Sequence, residues 1–147
     1  DGTNGPRSLK GDPRNPQPLI LSAWGRPVRK RLASDIGGGI FRSTDDGKTW
    51  NHVLKSDQHI HDITYDPRVA VFYACGFNGN AYRSEDNGQS WQRIKGYNFK
   101  WGKRVEPDAT NPEKVFIITF GGGVWYGPAQ GDPDAEEDIG RVVIAYR

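Results

Sequence analysis

Ser43-Thr44-Asp45-Asp46-Gly47-Lys48-Thr49-Trp50 and Ser84-Glu85-Asp86-Asn87-Gly88-Gln89-Ser90-Trp91 share one pattern, S-x-D-x-G-x-[ST]-W. The residue types suit a tight corner. The Asp carboxylate accepts hydrogen bonds from its own turn, and Gly takes the position with positive φ. The hydroxyls satisfy further turn groups, and the Trp ring is buried between neighbouring strands. Working outward, Gly38-Gly39-Ile40-Phe41-Arg42-Ser43 leads into the first octapeptide and matches Gly79-Asn80-Ala81-Tyr82-Arg83-Ser84. It matches again at Gly122-Gly123-Val124-Trp125-Tyr126-Gly127, so Phe41, Tyr82 and Trp125 stand 41 and 43 residues apart. An apolar run lies upstream of each: Leu19-Ile20-Leu21-Ser22-Ala23, Val69-Ala70-Val71-Phe72-Tyr73-Ala74 and Val115-Phe116-Ile117-Ile118-Thr119. An Asp-Pro or Asn-Pro turn precedes each run, at Asp12-Pro13 and Asn15-Pro16, at Asp66-Pro67 and at Asn111-Pro112. The first unit carries an insertion over about 24–35, and the third has Tyr126-Gly127-Pro128 where the octapeptide would stand.

Runs such as His61-Asp62-Ile63-Thr64-Tyr65 are short, alternating and rich in β-branched or aromatic residues, the marks of a strand. The middle unit reads as strands at 61–65, 69–75, 80–84 and 90–94. The first unit gives strands near 19–24, 39–43 and 49–54, and the third near 104–106, 115–120 and 123–127. One more strand is expected at 141–146, after the acidic stretch 132–138. About four short strands per repeat of some 40 residues is the signature of a β-propeller blade. The expected fold is therefore all-β: about three four-stranded antiparallel blades, in units of about 8–54, 55–95 and 96–147. Composition agrees, since 19 Gly and 10 Pro in 147 residues make about a fifth of the chain hostile to helix. Aromatics at 12% are too abundant for a disordered chain. A net charge of +2 gives no case for nucleic acid, and the single Cys75, expected buried, excludes an internal disulfide and a Cys-based zinc site. No apolar run is long enough to span a membrane as a helix, and no signal-peptide layout opens the chain. A start at Asp1-Gly2-Thr3 without Met fits a processed or partial sequence.

The octapeptide resembles the Asp-box, or BNR repeat. It occurs in sialidases, xyloglucan-cleaving glycoside hydrolases, sortilin-type receptors and a photosystem assembly factor. Two matches at blade spacing carry the resemblance, and Phe-Gly-Gly-Gly-Val-Trp-Tyr-Gly-Pro at 120–128 looks like the close of such a bacterial protein. The resemblance implies a propeller, a box that serves the fold and lies away from the active site, a glycan-directed activity, and export to the periplasm or outside the cell. The chain has no Phe-Arg-Ile-Pro segment, three-arginine constellation or Tyr–Glu nucleophile pair of a sialidase.

Alternation of turns in a blade puts the octapeptides on one face and the connections 24–38, 55–61, 75–80, 95–104 and 119–123 on the other. Loops on a rigid scaffold are the usual place for binding residues. Aromatic and basic residues gather in these connections: Trp24 and Arg26, Phe77 and Asn78, then Lys100, Trp101, Lys103 and Arg104. Stacking combined with cationic hydrogen bonding suits glycans and small anionic ligands. The cluster Arg26, Arg29, Lys30 and Arg31 also fits a solvated loop, and Trp101 a plug for a central channel. Asp57 and Asp62 are the best-placed carboxylate pair for glycoside hydrolysis. His59 and His61 are two apart, so in an extended strand both rings point the same way. With Asp57 or Asp62 as a third ligand they could hold a divalent metal such as zinc, which makes a metal-dependent hydrolase of phosphate esters a second reading.

A propeller needs four to eight blades, and this chain supplies three at most. Either it belongs to a longer protein or copies associate to complete the ring, which would bring His59 and His61 of each copy to the channel. Three functions follow as expectations: a glycan-directed module of glycoside-hydrolase type, a metal-dependent hydrolase, and a binding or scaffold propeller without chemistry.

Overall fold

The computed structural model describes residues 5–25 and 37–136. These form eleven strands and no helix. The first sheet holds β1 (Gly5–Asp12), β2 (Asn15–Trp24), β3 (Gly39–Ser43) and β4 (Asn51–Leu54). The second holds β5 (Ile60–Asp66), β6 (Val71–Gly76), β7 (Ala81–Ser84) and β8 (Gln92–Arg93). The third holds β9 (Gly102–Pro107), β10 (Lys114–Thr119) and β11 (Val124–Pro128). Neighbouring strands within each sheet are antiparallel and follow chain order. Each sheet is one blade. The strand expected at 141–146 lies outside the described residues, as do Arg26, Arg29, Lys30 and Arg31.

Strand β1 is not expected from the sequence. Its residues Gly5-Pro6-Arg7-Ser8-Leu9-Lys10-Gly11-Asp12 are mostly polar and include two Gly and one Pro, a weak strand signal. Pairing with β2 supplies what local propensity lacks. At the other edge, the strand expected over 90–94 contracts to Gln92–Arg93.

The core lies between blades. Ile20, Ile40 and Leu54 of the first meet Ile60, Ile63, Phe72, Ala74 and Tyr82 of the second. Val71, Tyr73, Cys75 and Ala81 of the second meet Val105, Val115 and Ile117 of the third, with Phe99 between them. Strand β6 is therefore buried on both sides, with Phe72 and Ala74 turned one way and Val71, Tyr73 and Cys75 the other, which explains its unbroken apolar run. Full burial of a side chain the size of Phe72 or Ile63 contributes about 1.5–3 kcal/mol. Cys75 is buried, as expected, and desolvation pushes its thiol far above the usual range.

Strands β1, β5 and β9 come first in their blades and pack side by side as the inner strands. Ser8 Oγ donates to Ile63 O at 3.5 Å and Thr64 Oγ1 to Val105 O at 2.5 Å, so each crosses to the next blade. At the turns after β1 and β5, Tyr65 donates to Asp12 at 2.7 Å and Arg68 reaches the Ala109 carbonyl at 2.7 Å. Hydrogen bonds from Arg14 and Tyr65 hold Asp12 down at about 2.

The registers align the blades residue by residue. Leu9, Leu19, Leu21 and Phe41 of the first blade occupy the positions of Ile63, Phe72, Ala74 and Tyr82 in the second. The latter four are buried against a neighbouring blade, whereas Leu9 is 54% exposed. On the third blade, Val124 and Tyr126 pair with Ile118 and Phe116 and are 63% and 54% exposed. Two apolar flanks thus bound an incomplete propeller.

Candidate functional site

The two octapeptides form the corners that join β3 to β4 and β7 to β8. In the first, Asp45 accepts from Ser43 Oγ at 2.8 Å, Thr49 N at 2.8 Å and Thr49 Oγ1 at 2.6 Å. In the second, Asp86 accepts from Ser84 Oγ at 2.8 Å, Ser90 N at 2.9 Å and Ser90 Oγ at 2.6 Å. Asp46 and Gly47, like Asn87 and Gly88, have positive φ. The Thr49 hydroxyl, then its amide, hold Asp45 below the ordinary carboxylate range. Burial raises Asp86, but the hydrogen bonds from Ser90 and Ser84 outweigh it and leave it low as well. Carboxylates occupied in this way serve their own turn.

The opposite ends of the blades differ. Trp24 closes β2, Phe77 follows β6 and Phe120 follows β10; the registers make them one repeat position in three blades. The aromatic rings converge, with Phe77 5.3 Å from Trp24 and 6.0 Å from Phe120 between centroids. A second repeat position supplies cations. The inner strands are each shifted in register by one extra residue, which is Arg7 in β1, His61 in β5 and Lys103 in β9. A bulge re-aims the side chain it carries and is common beside functional sites. Arg7 Cζ lies 5.2 Å from the Trp24 ring and Lys103 Nζ 5.6 Å from the Phe120 ring, within cation–π range. The His61 ring stands 5.0 Å from Phe120 and 6.4 Å from Trp24. Each blade therefore contributes one ring and one basic side chain to a single cluster.

His61 is depressed below its ordinary value, first by burial and then by Arg7, Lys103 and Arg104, with Asp62 opposing. His59 lies 4.7 Å from Trp24 between ring centroids, and its Nδ1 is 3.0 Å from Asn78 Nδ2. The backbone holds these residues in place: Trp24 bridges His59, Phe77 N donates to His59 O at 2.9 Å, and Gly25 N donates to Gln58 O at 2.6 Å.

Of the residues singled out from the sequence, Trp24, His59, His61, Phe77, Asn78 and Lys103 come together. Asp57 is buried beneath the loop, where its carboxylate accepts from His59 N at 3.0 Å, Asn80 Nδ2 at 3.2 Å and Tyr82 OH at 3.3 Å. Asp62 is paired at 2.6 Å with Arg104. The two carboxylates thus have separate structural partners. Lys100 and Trp101 stand exposed on the preceding loop, joined to the cluster through Phe120 N, which donates to Trp101 O at 2.8 Å. Arg26 lies outside the described residues. No set of three His, Cys, Asp or Glu that could hold a metal occurs among the described residues. Arg7 and Phe120 were missed. Phe120 stands at the Trp24 and Phe77 repeat position, a signal that was present; Arg7 sits in the strand that local propensity conceals.

No protein-family profile matches the chain, and no curated protein sequence matches it. Among solved structures it is similar to YCF48 from Cyanidioschyzon merolae, with a TM-score of 0.61 and 17% identity over 88% of this chain. The match spans 35% of that chain. At this identity the likeness establishes the propeller fold.

Proposed function

We propose that this chain is an Asp-box propeller segment of an exported protein and that it recognises glycans carrying acidic groups on the rim opposite its boxes. One observation carries the reading: Trp24, Phe77 and Phe120 occupy one repeat position, and Arg7, His61 and Lys103 a second that faces it. Sugar rings present C–H faces that stack on aromatics, and a uronate or sialate carboxylate offers an acceptor to the flanking cations. Recognition is favoured over hydrolysis because Asp57 and Asp62, the carboxylates nearest the rim in sequence, have partners of their own. We also place the site within a ring completed by a second copy of the chain. Its exposed Leu9 and half-buried Leu19, Leu21 and Phe41 would take the blade-to-blade role of Ile63, Phe72, Ala74 and Tyr82 against the partner's third blade.

Two measurements test this. Titration with an oligogalacturonate and with its neutral, methyl-esterified form, followed by tryptophan fluorescence, should give saturable binding only to the acidic form. Equal binding of both, or loss of neither in Trp24→Ala and Lys103→Ala, refutes the acidic-glycan reading. Light scattering should give a closed multimer that Phe41→Glu dissociates; a monomer at all concentrations refutes the ring.

A further inference from the structure

On the box face, between blades 2 and 3, lies a cavity of about 610 Å³ lined by Val71, Tyr73 and Arg83 on one side and Pro128, Ala129 and Gln130 on the other. Its counterpart between blades 1 and 2 is filled. There the second corner rests on the first blade: a β-carbon on Gly88 would collide with Ile20, and Arg42 Nε donates to Asn87 O at 2.8 Å. Ile20 and Arg42 are cross-strand partners, as are Tyr73 and Arg83 at the same repeat position one blade on. The cavity is therefore the seat of a third corner.

The described residues of the third blade do not fill it. Val115 pairs with Gly127 as Phe72 pairs with Ser84, so Gly127, Ala129, Gly131 and Pro133 stand where a corner has Ser, Asp, Gly and Ser. Gly131 keeps the left-handed φ, at 68° against 75° for Gly88. The Ser and Asp that fold the turn are gone, and the segment instead bridges Lys95 at the outer edge of blade 2, with Asp132 N donating to Lys95 O at 3.0 Å. Beneath it, Arg83 Nη2 is paired with Glu85 at 2.6 Å, while its buried Nε has no hydrogen-bond partner among the described residues. A buried donor without an acceptor is costly, and the same atom of Arg42 is satisfied by a turn carbonyl.

We propose that this cavity receives a turn of a partner polypeptide, one with a left-handed glycine packed on Tyr73 and a main-chain carbonyl turned to Arg83. The octapeptide 84–91 already occupies the equivalent seat and defines the chemistry. The test uses a head-to-tail cyclic peptide with the sequence of residues 84–91, titrated into the ¹⁵N-labelled protein. Saturable shifts are expected at the amides of Val69, Val71, Arg83 and Gln130. Gln130→Trp, which places an indole over the cavity from an exposed position, should abolish them. Arg83→Ala should weaken binding at least fivefold, and a peptide with valine for its glycine should not bind. Acidic-glycan binding at the rim should be unchanged in both variants, so the two proposals fail separately. Absence of saturable shifts at millimolar peptide, shifts that persist in Gln130→Trp, or equal binding of the valine peptide overturns the proposal.

Discussion

At one end of blades 1 and 2, Asp45 and Asp86 each accept three hydrogen bonds from their own turn. At the other end, one repeat position holds Trp24, Phe77 and Phe120, and another holds Arg7, His61 and Lys103. Repetition is literal at the first end because each residue answers to atoms of its own turn, whose geometry recurs. At the second end only chemical class recurs, ring or cation, because these groups face outward and toward one another. Even the two corners are not equivalent. A β-carbon on Gly88 would collide with Ile20 of the first blade, whereas one on Gly47 would meet Trp50 and Leu19 of its own blade at ordinary contact distance.

The largest test of that contrast is a pair of glycine substitutions. Gly88→Ala combines left-handed strain with a collision against Ile20 and should cost about 3 kcal/mol, whereas Gly47→Ala carries the strain alone, about 1 kcal/mol. Urea unfolding measures both, and equal losses would mean that seating on the neighbouring blade contributes nothing. At the rim, Trp24→Ala should weaken acidic-glycan binding by about tenfold to a hundredfold, in keeping with stacking on an aromatic platform. It should leave the corner amides of 84–91 unshifted by NMR. Lys103→Ala should cost about threefold and flatten the salt dependence of binding, as expected for an exposed cation.

The smallest effect is one of pH. His61 has a folded pKa depressed below its unfolded value of 6.5, so the unfolded chain binds more protons between the two. Stability should therefore fall as pH drops below 6.5 and level off beneath the folded value. His61→Gln should remove that part of the decline in urea midpoints between pH 7.5 and 5.5. Asp45 and Asp86, held below the carboxylate range, remain charged throughout and contribute no slope there. An unchanged decline in His61→Gln would mean that neither burial nor the surrounding cations depress this ring.

Much of this was legible in the chain. The octapeptides marked two corners, the apolar runs marked β2, β6 and β10, and the connections 24–38, 75–80 and 119–123 were placed on the face that holds the aromatic cluster. Other features were not. Asp57 and Asp62 look alike as neighbouring acids, yet burial takes one and Arg104 the other. The bulges at Arg7, His61 and Lys103 leave no mark in the sequence, since an extra residue is defined only against the strand it fails to match.

By itself, the order of residues determined the period, the corners and the all-β class, because these depend on turn chemistry and alternation within a few neighbouring positions. Only the assembled blades decided which side chains meet, which acid is buried and where the described residues leave a cavity between blades. Those outcomes depend on pairing register and on packing between segments some 40 residues apart.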